Sequence, residues 1–445
     1  MTPRLIRSAR PSFIQSDGIL ARAAQPLVRF LGVEAAGGIL LLGATVAALV
    51  WANSPWQSGY ESFWSTRVGI DIGQYRFEED LAHVVNDFLM AGFFFVVGME
   101  IKRELVVGEL ANPRAVALPA IAALGGMVVP ALIYSAFNTT GSGSSGWAIP
   151  MATDIAFAVA VVALLGSRVP STVKVLLLTL AIVDDIGAIA VIAIFYAAEV
   201  RPELLLLAVG LVVVVAIMHR LRVVYPPVLM VMGFGLWWVV FESGVHATIA
   251  GVMMGLLTPA RPIQTELEAE EIVDLLEGRP DLRADDVRAT ATLIRGSVSA
   301  CDRQIDAWHP WTSYVIVPIF ALANAGIVLS GEAMTDPSAV LSGVAVALVL
   351  GKLIGVTLFS WIAVRLGLGR LPDGAGWGHI VGVAAVAGIG FTVSLFITDL
   401  AFDTPELRDQ AKLGTFVGSI VAAILGTLLL LAAAHRTRTQ AATND

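Results

Sequence analysis

Charged residues are scarce in this chain of 445 residues: they make up 14%, against 57% hydrophobic side chains. A soluble domain carries about 25% charged residues. Together with a mean hydropathy of +0.79, that shortage excludes an ordinary soluble protein. Cysteine is nearly missing as well, and the single Cys301 excludes a disulfide framework and any multi-cysteine metal site. There is no glycine-rich phosphate loop or nucleotide domain, which argues against an ATP-driven pump, and none of the alternating ten-residue segments of a transmembrane barrel is present. What the sequence does contain is apolar runs of about 20 residues, enough to cross about 30 Å of hydrocarbon, placed almost end to end. The fold class is an all-α polytopic membrane protein.

Length and apolar content predict twelve spans, near 31–52, 80–101, 115–137, 147–166, 174–198, 203–218, 224–241, 245–260, 310–331, 338–364, 376–400 and 409–434. With the N-terminus in the cytoplasm, the inner loops receive Lys102, Arg103, Arg114, Arg168, Lys174, Arg220, Arg222, Arg365, Arg370, Arg436, Arg438 and the arginines between 261 and 303. Arg67, Arg76, Arg201, Arg408 and Lys412 fall outside. This asymmetry predicts a multi-pass protein of the bacterial inner membrane with both termini cytoplasmic. The domain reading is a cytoplasmic segment 1–30, one transmembrane unit over 31–435 and a cytoplasmic tail 436–445.

Two polar excursions interrupt the spans. The outer one, about 53–79, contains the alternating "RVGIDIGQYRF", which suggests a short hairpin and a contact surface for a homodimer. The inner one, about 261–309, holds most of the acidic excess behind the net charge of -8, and "EIVDLLEG" and "RATATLIRG" within it suggest short amphipathic helices. Because that excess is local, the charge says little about partners, and none of them is expected to be a nucleic acid.

Spans four and eleven are broken in pattern. Pro150, Thr153 and Asp154 interrupt "GWAIPMATDIAFAVAVVALLG", while Gly388, Gly390 and Thr392 fall in the middle of "GWGHIVGVAAVAGIGFTVSLFITDL". Interruptions in corresponding places of two halves point to a transporter site, because unwound segments turn carbonyls and half-helix ends toward a central cavity. Spans three to five and ten to twelve have the arrangement of an inverted repeat.

Four ionisable residues fall deep inside spans: Asp154, Asp184, Asp185 and Lys352. A charge at the bilayer centre costs on the order of 2.5–3.5 kcal/mol on insertion scales, so such residues mark functional positions. Three carboxylates against one ammonium leave room for a cation, a proton, or both. Desolvation and a neighbouring carboxylate each favour the protonated form of an acid, while the deprotonated form offers hard oxygen ligands to a small cation. Proton and cation would then compete for Asp184 and Asp185, with Thr153 or freed carbonyls completing the metal shell. Adjacent residues on a helix point about 100° apart, so the two aspartates should have different roles. Lys352 can pair with Asp154 or with Asp184. For Asp154 and Lys352, a structural ion pair that holds broken helices competes with direct proton carriage. Asp87 reads as a hydrated vestibule residue, and His83, His246 and His309 sit near predicted span ends.

The segments "NDFLMAGFFFVVGMEIKREL", "ATDIAFAVAVVALLG", "LAIVDDIGAIAVIAIFY", "VPIFALANAGI", "LGKLIGVTLFSW" and "AGIGFTVSLFI", in that order, closely resemble the NhaA-type sodium/proton antiporters. The resemblance implies crossed, unwound helices at spans four and eleven and a core domain that rocks against a dimerisation domain. It also implies electrogenic exchange of cytoplasmic Na+ or Li+ for more than one external proton, with no cofactor beyond the transported Na+, Li+ and H+. By position, Asp185 resembles the principal cation and proton carboxylate and Asp184 its neighbour. Asp154 with Thr153 resembles the helix-break acid, and Lys352 the buried lysine. Glu100, Arg103 and Glu104, with His309, match the cluster linked to pH activation in the family. One stretch departs: where better-known members carry a lysine, a glutamate and an extra histidine before "HPW", this chain reads "RQIDAWHPW".

Rival readings of paired aspartates fare less well. An intramembrane aspartyl protease would want Gly-x-Gly-Asp, but "GIGF" ends in Phe391. A prenyl transferase would want carboxylates three or four residues apart on two helices, which "VDDIGA" does not supply. The alternative kept is a sodium-coupled organic anion symporter of similar broken-helix fold.

Overall fold

In lipid a backbone can satisfy its polar groups only within helices or a closed barrel, and the apolar runs accordingly fold as helices. The computed structural model describes residues 36–72, 75–197, 200–221, 225–262, 295–328 and 337–444. Segment 1–30, the amphipathic piece expected at 271–278 and all but the last two residues of the one expected at 288–296 lie outside the described residues. Among the described residues, six helices are individually long and apolar enough to cross a bilayer, and three bent pairs pass the same test jointly.

Helix α1 (Ala36–Ala52) turns by 116° into α2 (Gln57–Trp64), which leads to strands β1 (Arg67–Ile72) and β2 (Tyr75–Asp80). The strands pair antiparallel from Arg67 opposite Asp80 to Ile72 opposite Tyr75, forming the expected hairpin. Next come α3 (Leu81–Val106) and α4 (Pro113–Phe137), then a 3-10 stretch (Ser142–Met151) and α5 (Ile155–Leu164). Helices α6 (Ser171–Phe195), α7 (Pro202–Arg220), α8 (Pro226–Glu242) and α9 (Thr248–Leu257) complete the first half. The second half comprises α10 (Ala300–Trp311), α11 (Val317–Asn324), α12 (Ala339–Arg365), α13 (Trp377–Val386), α14 (Phe391–Ala401) and α15 (Pro405–Asn444).

Both expected breaks are present. The chain bends by 43° between the 3-10 stretch and α5, and by 46° between α13 and α14. Gly388 and Gly390 lie in the second break, where the chain passes close to its neighbours. A Cβ on Gly388 would sit 2.5 Å from the Leu348 carbonyl oxygen and 3.0 Å from Ala422 Cβ.

The ninth span differs from expectation. It was placed at 310–331, but helix already starts at Ala300 and ends at Asn324. Cys301 and Ile305 form a buried stripe with Trp308 against Val96, Met99 and Ala260, and this amphipathic turn extends the helix below the apolar run. A π turn, Thr312–Ile316, follows Pro310 and carries the helix past the missing proline N–H. The eighth span is shorter than expected, ten residues of α9, and α15 runs on as helix through the expected tail.

Helices α4, α5, α6, α12, α13, α14 and α15 pack together with the 3-10 stretch, while α1, α3, α7, α8, α9, α10 and α11 pack among themselves. Glycines allow the closest crossings. Gly125 of α4 meets Gly355 of α12 backbone to backbone, and Gly98 of α3 lies where a Cβ would come within 2.6 Å of the Val252 carbonyl oxygen. The two sets touch along α11 with α14 and along α1 with α5.

Candidate functional site

The site begins at the crossing of the two breaks. The Asp154 backbone N–H donates to the Ile389 carbonyl at 2.6 Å, which ties one unwound segment to the other. The Asp154 carboxylate then serves both half-helices that start there. Its Oδ1 accepts from the Phe157 N–H at 3.0 Å, as the N-cap of α5. Its Oδ2 accepts from the Thr392 N–H at 3.0 Å and from the Thr392 hydroxyl at 2.6 Å, at the first turn of α14. Two helix N-termini carry partial positive charge and orphan N–H groups, and one carboxylate satisfies both. Ser394 donates to the Ile149 carbonyl at 2.7 Å, and the Phe391 N–H donates to Ser419 Oγ at 3.3 Å, so the crossing leaves few loose ends.

Lys352 pairs with Asp184, not with Asp154. Its Nζ lies 2.6 Å from Asp184 Oδ2, with both side chains fully buried, and 3.0 Å from Thr153 Oγ1. The Thr153 hydroxyl has acceptors at 2.8 Å in Asp184 Oδ2 and the Ala387 carbonyl, and its one proton can serve either. Lys352 therefore lies close to the carbonyl end of α13, and Asp154 at the amide ends of α5 and α14. A π turn, Ala347–Gly351, immediately precedes Lys352. Gly126 makes room beside the pair, since a Cβ there would lie 2.9 Å from Val356 Cγ2 and 3.7 Å from Asp184 Oδ1.

Asp185, one residue on, has a different neighbourhood. It lines a cavity of about 580 Å3, together with Asp154 and Thr392 at one end and Glu100, Arg103, Glu104 and His309 toward the other. Asp185 Oδ1 is buried and has no hydrogen-bond partner, and neither has Asp184 Oδ1. A buried, unpaired carboxylate oxygen is costly, so the arrangement suits a ligand that comes and goes. Among the described residues there is no group of three or more His, Cys, Asp or Glu able to hold a metal ion. A cation's other ligands would be hydroxyls, carbonyls and water.

The cluster around Arg103 is a loose ion network. Arg103 lies 3.6 Å from Glu104 and 3.9 Å from Asp302, Glu104 Oε2 accepts from the Glu109 N–H at 3.0 Å, and His309 Nδ1 is 3.5 Å from Ser313 Oγ. Asp302 and Glu109 escaped the reading of the sequence because neither lies in an apolar run. Thr392 registered only as an interruption of span eleven, although it bonds Asp154 twice.

The chain is similar to known proteins over nearly its whole length. Residues 28–430 match the family model described as Na+/H+ antiporter 1. The chain is 45% identical over 413 residues to a Na+/H+ antiporter NhaA 3 of Frankia alni, covering 92% of this chain and 89% of that protein. It is 46% identical over 415 residues to a Na+/H+ antiporter NhaA of Rhodopirellula baltica, covering 92% and 94% respectively, and 45% identical over 440 residues to one from Janthinobacterium, covering 96% of both. The chain belongs to the Na+/H+ antiporter 1 family.

Proposed function

We propose that this protein exchanges Na+ or Li+ for protons across the bacterial inner membrane by alternating access, with Asp185 as the carboxylate that proton and cation share. The observation that carries the reading is the unpaired Asp185 oxygen at the end of a 580 Å3 cavity beside two crossed, broken helices. Membership of the family and the printed names of its relatives support the choice of Na+ and H+.

The mechanism follows from competition. A proton on Asp185 neutralises the carboxylate and leaves no charge to hold a metal ion. A Na+ ion entering from the cavity displaces that proton and takes the carboxylate oxygen, with water and nearby hydroxyl or carbonyl oxygens around it. The loaded site then turns to the other face, where protons displace the cation. A second proton enters the cycle through the Lys352–Asp184 pair: when Asp184 turns toward the cation, Lys352 gives up a proton to the water of the cavity and recovers it when the pair re-forms. Two protons moved against one cation make the exchange electrogenic. Asp154 and Thr153 hold the crossing while this happens, and Glu100, Arg103, Glu104 and His309, which also line the cavity, adjust ion entry with pH. The cavity opens to the cytoplasm when both termini are cytoplasmic, the orientation favoured by the arginine and lysine distribution.

The test is made in proteoliposomes carrying an imposed pH gradient, following lumenal pH as Na+, Li+, K+ or choline is added. Collapse by Na+ or Li+ alone, lost in Asp185→Asn, is the expected result. No cation-dependent collapse at any pH from acidic to alkaline overturns the reading and leaves organic anion uptake to be tried next.

A further inference from the structure

Two helices show the same order of side chains from the cavity toward the hairpin side. On α11, Val317 lines the cavity, Phe320 follows one turn on and Asn324 one turn beyond. On α14 the order is Val393, Phe396, Asp399, and α3, which runs the opposite way, carries Phe94 against Phe396 and, nearer the hairpin, Asn86. The aromatic residues meet as a layer, with ring centroids 5.3 Å apart for Phe94 and Phe396 and 6.4 Å for Phe320 and Phe396.

Beyond that layer lies a polar one. Asn324 Nδ2 donates to Asn86 Oδ1 at 2.8 Å, and Asn86 Nδ2 lies 3.3 Å from Asp399 Oδ2. Lys412 Nζ of α15 pairs with Asp399 Oδ1 at 2.8 Å, with side-chain exposures of 12% and 11%. Asn324 is also held by the Phe320 carbonyl at 3.0 Å, and Tyr60 caps the Leu322 and Ala323 carbonyls at 2.8 Å each. Asn86 and Asn324 belong to one set of packed helices, while Asp399 and Lys412 stand on α14 and α15 across from it. The network therefore bridges elements that must part if the cavity end is to be reached from the hairpin side.

We propose that Asn86, Asn324, Asp399 and Lys412 form a polar latch that, with the Phe94–Phe320–Phe396 layer, holds the hairpin side closed, and that its release governs access to the Asp185 site from that side. The ion that uses this access is the one assigned above and rests on that reading; the latch itself does not. Side-chain pairing suits such a role because a mostly buried polar network holds firmly while its members satisfy one another, and its groups can bond to water once the helices part.

The test uses a reporter thiol beneath the latch. Ala321 is fully buried one turn inside Asn324, and Cys301 is the chain's single cysteine. In membrane vesicles bearing the Cys301→Ser/Ala321→Cys chain, an impermeant thiol reagent is applied from the hairpin side at fixed pH. Asp399→Asn and Lys412→Met are each expected to speed labelling roughly fivefold, and the double variant no more than either alone, because both remove one interaction. Unchanged rates in both single variants, or effects that multiply in the double, overturn the latch. If a single variant fails to fold, the pair Asn86→Cys with Asp399→Cys in the Cys301→Ser chain carries the test. Bridging the pair with a short bis-methanethiosulfonate is expected to halt transport until reductant is added, and full-rate transport with the bridge in place overturns the proposal. Faster labelling in vesicles without Na+-driven proton movement supports the latch while removing the exchange reading.

Discussion

Adjacent aspartates on one helix have been given opposite surroundings. Asp184 faces Lys352 and Thr153 in a fully buried pair, and Asp185 faces the cavity with an oxygen free. Removing the ammonium alone strands a buried charge, so Lys352→Ala is expected to destabilise the protein by about 3–5 kcal/mol. The double variant Asp184→Asn/Lys352→Met should recover much of that loss, and thermal unfolding in detergent compares the two. Equal losses in both would mean that the pair contributes packing and no electrostatic balance. Asp185→Asn, by contrast, should leave the unfolding temperature within a few degrees of wild type while stopping exchange, because Asp185 has no ion-pair partner among the described residues to lose. The sequence revealed that the two side chains diverge, since helical geometry alone dictates it. It could not choose between Asp154 and Asp184 as the partner of Lys352. That choice depends on how α12 and α6 each pack against α4, where Gly126 leaves space for the pair, a packing fact with no local signature.

At the level of single elements, the two broken helices depend on Asp154. Its carboxylate takes N–H donors from α5 and α14 together, and an amide in its place must turn an NH2 toward one of them. Asp154→Asn is therefore expected to cost about 1–3 kcal/mol and to expose the break to hydrogen exchange. Amide protection at Phe157 and Thr392 measured by mass spectrometry checks this, and unchanged protection would contradict the double-cap role. Close crossings behind the site impose a second constraint. A Cβ on Gly355 would overlap the Gly125 carbonyl oxygen, so Gly355→Ala should force α4 and α12 apart and lower stability by about 1–3 kcal/mol, read as a shift in unfolding temperature. Proline and glycine interruptions made both breaks legible in advance. The early start of the ninth span was not, because Cys301, Ile305 and Trp308 face their partners at helical spacing inside a stretch too polar to register as a span.

Across the whole molecule, the cavity reaches the site from the end that carries Arg103 and His309, while the aromatic and polar layers fill the end nearest the hairpin. In the proposed orientation, with the basic loops cytoplasmic, the first of these faces the cytoplasm. An impermeant thiol reagent should consequently label Ser313→Cys, a cavity-lining position, from the cytoplasmic face of Cys301→Ser vesicles and not from the other face; the reverse pattern would invert the topology. Long apolar runs made the membrane architecture plain from sequence, and the paired breaks located the crossing at which the ion site is proposed. The cavity itself was not legible, because it arises from α1, α3, α5, α6 and α10–α11 meeting at unequal distances, and neither composition nor periodicity encodes those distances.

One measurement bears most directly on the claim that a proton and a cation share Asp185: proton release from weakly buffered, detergent-solubilised protein as Na+ is added, repeated over a range of pH. Wild type should release protons on binding Na+, with the half-saturating Na+ concentration rising by up to about tenfold for each unit of falling pH where one proton competes, and Asp185→Asn should release none through this site. Sodium binding without proton release, or release undiminished in Asp185→Asn, would contradict a shared carboxylate at that position.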